Sequence, residues 1–198
     1  MRDALRRSVL FPYEVVTAAS MPLGARVLAD CAVRAAAIDE SDRVVDVGCG
    51  PGTASRAAAR RGAEVFGVDP TPMMLTFARW FTKEPLRARI TWLEGLAEAI
   101  PLGDGEATVA IATRAAHHFD DVGSAFEEMR RVLSPGGRVV IVERAVRPKT
   151  RGRRGHGFTP EFASEMASEL EAFGFDQVEV ETRPSGRGGL VVLNAVRK

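Results

Sequence analysis

The chain is 198 residues long, 45% apolar and 27% charged, which is enough for one domain with a real core and no dependence on disulfides. A formal net charge of +1 excludes a global field that would draw it to nucleic acid or membrane. Two cysteines, Cys31 and Cys49, make neither a disulfide framework nor a metal site, so no metal is expected and the setting reads as reducing and cytoplasmic.

Residues 1 to about 40 read as helical, notably Gly24 to Ala37, and are expected to serve partly as packing on a sheet and partly as a lid. Pro12 and Glu14 break the apolar run near the start, so no signal-peptide core forms there. No stretch approaches the roughly 18 apolar residues of a membrane span. Val44 to Val47 is a β-branched run bounded by Asp42 and Gly48, and Thr53 to Arg61 is a helix stopped by Gly62. Glu64 to Val68 is the second strand. Thr71 reads as an N-cap with Pro72 at the first helical position, opening a helix to about Phe81.

Ile90 to Leu93 and Thr108 to Ala112 are the third and fourth strands. The stretch Val122 to Leu133 places Ala125, Phe126, Met129, Val132 and Leu133 on one helical face. Ser134-Pro135-Gly136-Gly137 then turns into a fifth strand, Arg138 to Val142. Strands alternating with helices mean βαβ units, a parallel sheet and right-handed crossovers. The tail breaks this rhythm. A helix from Pro160 to Phe173 ends at Gly174, and the strands Val178 to Thr182 and Leu190 to Val196 follow with only seven residues between them. That link is too short for a helical crossover, so the pair is predicted to be an antiparallel hairpin.

The sharpest signal is Val44-Val45-Asp46-Val47-Gly48-Cys49-Gly50-Pro51-Gly52-Thr53. Glycines where a strand turns into a helix permit positive φ and close backbone approach to a ligand, and ligands of open α/β sheets bind at the carboxyl ends of strands. Asp69 ends the second strand in Val65-Phe66-Gly67-Val68-Asp69, about 20 residues on, where an acid accepts hydrogen bonds from ribose hydroxyls. A tight turn beside a surface aspartate is the bland alternative, but the order strand, glycine loop, helix, strand, acid favours a nucleoside site. The dinucleotide fingerprint is G-x-G-x-x-G, whereas these glycines fall at 48, 50 and 52 with Thr53 beyond them.

That loop resembles motif I of class I S-adenosylmethionine (SAM)-dependent methyltransferases. Gly67-Val68-Asp69-Pro70-Thr71-Pro72-Met73-Met74-Leu75 resembles the second motif, and Glu94 to Leu102 resembles the adenine-side loop. Ala115-Ala116-His117-His118-Phe119-Asp120-Asp121 resembles the segment after strand 4, and Arg131 to Gly137 the turn into strand 5. The likeness covers about Asp42 to Glu143 and is greatest to the type 11 small-molecule branch of quinone, sterol and sugar methyltransferases. It implies a Rossmann-like α/β fold with a mostly parallel seven-stranded sheet, helices on both faces and an antiparallel C-terminal strand. One domain over 1–198 is expected: an N-terminal helical segment over 1–40, a SAM-binding core over 42–146, and a helix and hairpin over 157–198.

By the same resemblance, Asp46 and the loop Gly48, Cys49, Gly50, Pro51 and Gly52 would contact the methionine part of SAM, and Asp69 the ribose. Pro70 and Met73 would pack on one side of the adenine, Leu96 and Ala97 on the other, and backbone at Thr113 and Arg114 would meet the methionine amino group. The family usually has Asp where Leu96 stands, and Leu cannot accept from the adenine amino group; Glu98 or backbone would have to substitute.

A base is needed when the methylated group must lose a proton. His117 and His118 lie just beyond strand 4 and Glu143 ends strand 5, so either histidine is a candidate base with Glu143 as its orienter or as the alternative base. Against this stands a purely structural role for the histidines, closing the SAM pocket or capping a turn. Tyr13, the only tyrosine, is divided evenly between lining the acceptor pocket and packing. Arg144, Arg147, Lys149, Arg151, Arg153, Arg154 and His156 form a basic run. With no interleaved aromatics it reads as a solvated loop in preference to a phosphate or RNA site. Cys49 reads as a small loop residue and not a nucleophile. The expected partner is a small-molecule methyl acceptor and not nucleic acid, with a homodimer left open. The alternative function is a non-catalytic SAM-binding or regulatory protein of the same fold; a nicotinamide oxidoreductase is disfavoured by the glycine spacing and the hairpin.

Overall fold

The computed structural model describes residues 22–146, 157–185 and 188–198. Tyr13 and the basic run from Arg147 to His156 lie outside these residues. The strands are β1 (Arg43–Val47), β2 (Glu64–Asp69), β3 (Ile90–Glu94), β4 (Ala107–Thr113), β5 (Leu133–Ala145), β6 (Phe175–Ser185) and β7 (Gly188–Arg197). The helices are α1 (Pro22–Ala35), α2 (Thr53–Ala59), α3 (Pro72–Phe81), α4 (Val122–Val132) and α5 (Pro160–Ala172).

The strands form one seven-stranded sheet in the order β3-β2-β1-β4-β5-β7-β6. β1 to β5 pair in parallel, and β7 runs antiparallel to both β5 and β6. The mixed α/β architecture with a C-terminal hairpin is therefore the one expected, and the hairpin's last strand inserts beside β5 instead of finishing the edge. After β3 the chain returns to lay β4 against the other side of β1, which makes a topological switch point between β1 and β4, where open α/β sheets bind ligands.

Strand alternation builds two cores. Val109 and Ile111 of β4 face a cluster containing Leu28, Ala32 and Val33 of α1 and Ala54 and Ala58 of α2. Ala110 and Ala112, one residue out of step, face a cluster with Phe126 and Met129 of α4 and Met166 and Leu170 of α5. α1 thus packs on the sheet, as the structural half of its expected role requires. The predicted buried face of α4 is buried in full.

Most boundaries differ by a residue or two, while β6 runs three residues beyond its expected span at each end and β5 three beyond Val142. The largest departure is the Ser134–Gly137 turn: Leu133 already bridges Ala107 before the ladder resumes at Val109 and Arg138, so β5 begins ahead of the turn. Thr71 stands at the α3 N-cap position without a side-chain cap, and its carbonyl accepts from Met74 and Leu75 instead. No described helix is long and apolar enough to cross a membrane.

Candidate active site

The carboxyl end of β1 leads into Gly48, Gly50 and Gly52, with φ of 68°, 52° and 77°. A Cβ on Gly48 would stand 2.5 Å from the Cβ of Ala115, so the loop leans directly on the segment after β4. A Cβ on Gly50 would meet nothing within 4 Å among the described residues, which leaves that stretch of backbone open to a ligand. The loop is anchored from β2: Cys49 N–H donates to the Val68 carbonyl at 2.9 Å and Gly50 N–H to Asp69 Oδ2 at 2.8 Å. Asp69 Oδ1 accepts from Thr71 N–H at 2.9 Å. Burial raises the Asp69 pKa above the usual carboxylate value, with these N–H groups acting in the opposite direction. Each of its oxygens retains capacity for a further donor, such as a ribose hydroxyl.

Asp46 is fully buried one strand residue before the loop. Ser55 Oγ of α2 donates to its Oδ2 at 2.5 Å, while Oδ1 is buried with no hydrogen-bond partner among the described residues. Burial is the main reason its pKa is pushed up to about 6, and the neighbouring Asp69 charge adds to it. A buried acceptor without a donor is costly, and a cationic donor resolves the cost. The α-ammonium of SAM is such a donor, so the donor set of this site fits the cofactor. Cys49 is buried and burial pushes its thiol well above the ordinary value, which agrees with a small loop residue and not a nucleophile.

On the adenine side, Leu96 lies in the loop after β3 and is 50% exposed, whereas Ala97 is buried. Pro70 is exposed and Met73 half-buried, on the α3 side. The suggested substitute acceptor, Glu98, is engaged elsewhere: its Oε1 accepts from the N–H groups of Asp120 and Asp121 at 2.9 and 3.2 Å. At the end of β4, Arg114 is held at φ 55° with its N–H donated to the Val142 carbonyl at 3.0 Å; the backbone groups that Thr113 and Arg114 can offer an ammonium are their carbonyls.

The two histidines occupy a single turn of 3₁₀ helix, Ala116–His118. His117 Nδ1–H donates to Oε1 of the fully buried Glu143 at 2.9 Å, and the two imidazoles lie 4.0 Å apart between centroids. A proton on Nδ1 leaves the basic lone pair on Nε2. The structure thus brings His117 and Glu143 together and places His118 against His117.

Three contributors were not legible in the sequence. Ser55 supports Asp46; Trp92 lies under the loop, within 2.3 Å of where a Gly52 Cβ would be; and Arg56 Nη1 donates to the Pro51 carbonyl at 2.6 Å.

Residues 45–141 match a type 11 family model described as "Methyltransferase domain". An uncharacterized methyltransferase of Bacillus subtilis is 36% identical over 101 residues, covering 51% of this chain and 40% of that protein. The demethylmenaquinone methyltransferase of Chlorobaculum tepidum is 36% identical over 106 residues, covering 53% of this chain and 42% of its own. The chain therefore spans less than half the length of these curated relatives. A SAM-dependent methyltransferase from Aquifex aeolicus has the same fold, with a TM-score of 0.72 at 18% identity over 86% of this chain and 89% of that one. With the glycine loop, the β2 acid and the orphaned Asp46 oxygen gathered at the switch point, the chain belongs to the class I SAM-dependent methyltransferases, whose cofactor is S-adenosylmethionine.

Proposed function

We infer that this protein transfers a methyl group to a small-molecule acceptor whose reacting atom must lose a proton. The observation that carries this is the buried His117–Glu143 pair at 2.9 Å, on the segment that leans against the glycine loop. When bound, SAM supplies a methyl group already activated on a sulfonium. Asp46 Oδ1 and the carbonyls at Thr113 and Arg114 would hold its ammonium, and the open backbone at Gly50 would receive its methionine part. Asp69 would take the ribose hydroxyls. Pro70, Met73, Leu96 and Ala97 would flank the adenine without an acidic acceptor.

Glu143 holds His117 in the Nδ1–H tautomer and stabilises the imidazolium formed when Nε2 takes the acceptor's proton. His118 packs against that ring and limits its rotation. The name of one relative, demethylmenaquinone methyltransferase, supports a small quinone-type acceptor. On this reading the chain works as one domain, with α1 part of the scaffold.

The test begins with calorimetric titration of SAM and S-adenosylhomocysteine. Micromolar binding, weakened about tenfold or more in Asp69→Ala, is expected from the loss of charge-assisted hydrogen bonds. With an acceptor in hand, His117→Ala is expected to lower kcat about 100-fold or more with little change in cofactor affinity. Cofactor binding without transfer to any acceptor would favour a regulatory SAM-binding protein, the reading to which the exposed Leu96 lends weight.

A further inference from the structure

Ala29 of α1 and Ala57 of α2 line a cavity of about 260 Å³ between the two helices. It is lined by three arginines, Arg26 of α1, Arg56 of α2 and Arg60 just past the end of α2, against a single carboxylate, Asp30. None of the three forms an ion pair among the described residues. Burial, and after it the positive charges of Arg60 and Arg26, lower the pKa of Arg56. Arg56 cannot swing away freely: its Nη1 is donated to the Pro51 carbonyl and its guanidinium stands 6.0 Å from the centroid of the Phe81 ring. Arg26 and Arg60 have no part in the proposed transfer, Arg56 enters it only by holding Pro51, and the groove lies beside the glycine loop, beginning at Thr53 just past Gly52.

We propose that the α1–α2 groove is a second ligand site, taking a small phosphate-bearing anion of the diphosphate class, with Arg26, Arg56 and Arg60 as its guanidinium donors. Planar guanidinium forks match phosphate oxygens. Three guanidinium forks against one carboxylate leave an excess of positive charge, and a diphosphate presents two phosphoryl groups for the three forks to share where an orthophosphate presents one. The size agrees, since whole drug-like ligands need roughly 300–1,000 Å³ and this cavity takes the phosphates of a ligand and little more. Because Arg56 also holds Pro51, an anion bound to it touches the loop that would receive the cofactor.

The experiment is calorimetric titration of inorganic diphosphate into the full chain saturated with S-adenosylhomocysteine, and separately into the chain alone. Saturable one-to-one binding below about 1 mM is expected in both, with orthophosphate weaker. Arg26→Gln and Arg60→Gln, at exposed positions, should each weaken diphosphate about tenfold and leave S-adenosylhomocysteine affinity within about twofold. Asp30→Asn should tighten diphosphate severalfold, a gain that a damaged fold cannot mimic. Absence of binding, or affinity indifferent to these variants, would overturn the proposal. Competition by S-adenosylhomocysteine would show that the anion occupies the cofactor site instead. Tighter binding of a short single-stranded RNA, lost in the same variants, would make the occupant nucleic acid and sink the small-anion assignment.

Discussion

Asp46 carries two linked consequences, because burial holds its carboxyl neutral up to about pH 6. In the ligand-free protein the folded pKa lies above the unfolded value, so the stability of the neutral form is present at low pH and is lost as pH rises through about 6. An ammonium ligand has the opposite preference, since it binds the ionised carboxylate. S-adenosylhomocysteine affinity is therefore expected to rise with pH up to an inflection near 6, by as much as about tenfold per unit below it. Asp46→Asn should bind weakly and lose that inflection. Ser55→Ala removes the hydrogen bond that favours the charged form, so its inflection should move to higher pH. Calorimetry from pH 5 to 8 reads all three; a flat wild-type profile would separate Asp46 from the ammonium.

Among the elements, β3 has a role beyond closing the sheet. Trp92 packs across β2, within 2.5 Å of where a Gly67 Cβ would stand, and reaches the glycine loop at Gly52. Gly67 has ordinary extended backbone, so the steric contact and not φ excludes a side chain there. Gly67→Ala is expected to cost about 1–3 kcal/mol of overpacking. Added to Trp92→Ala it should cost much less, and a urea-unfolding double-mutant cycle measures that coupling. Additivity of the two would mean that Trp92 does not set the limit at Gly67.

For the molecule as a whole, the two ends of the parallel strands divide the work. At the amino ends, buried Asp42 accepts from Arg138 Nη2 through Oδ1 and Oδ2 at 2.7 and 2.8 Å, and from Thr108 Oγ1 at 2.7 Å. One carboxylate thus ties the start of β1 to β4 and β5, at the opposite end of the strands from the glycine loop. Asp42→Ala is expected to lower unfolding free energy by about 1–2 kcal/mol, because it removes charge-assisted hydrogen bonds from the partly exposed Arg138 and from Thr108. The folded variant should retain its S-adenosylhomocysteine affinity. A large loss of affinity in protein that is still folded would contradict this division.

The order of elements, the glycine loop and the acid closing β2 follow from local chemistry, since positive φ at glycine, β-branched runs and helical spacing act over a few residues. The hairpin follows as well, because its short link permits nothing else. Which histidine meets Glu143 depends on register: β4 and β5 pair in parallel with Thr113 opposite Val142, which brings the turn after β4 back to Glu143 and gives the contact to His117. The diversion of Glu98 to Asp120 and Asp121, the support of Asp46 by Ser55, and the arginine-lined groove also depend on how separate elements lie together. Residue type and spacing determined what each segment could become; packing of the helices on the twisted sheet decided which side chains share a pocket, because those distances link residues far apart along the chain.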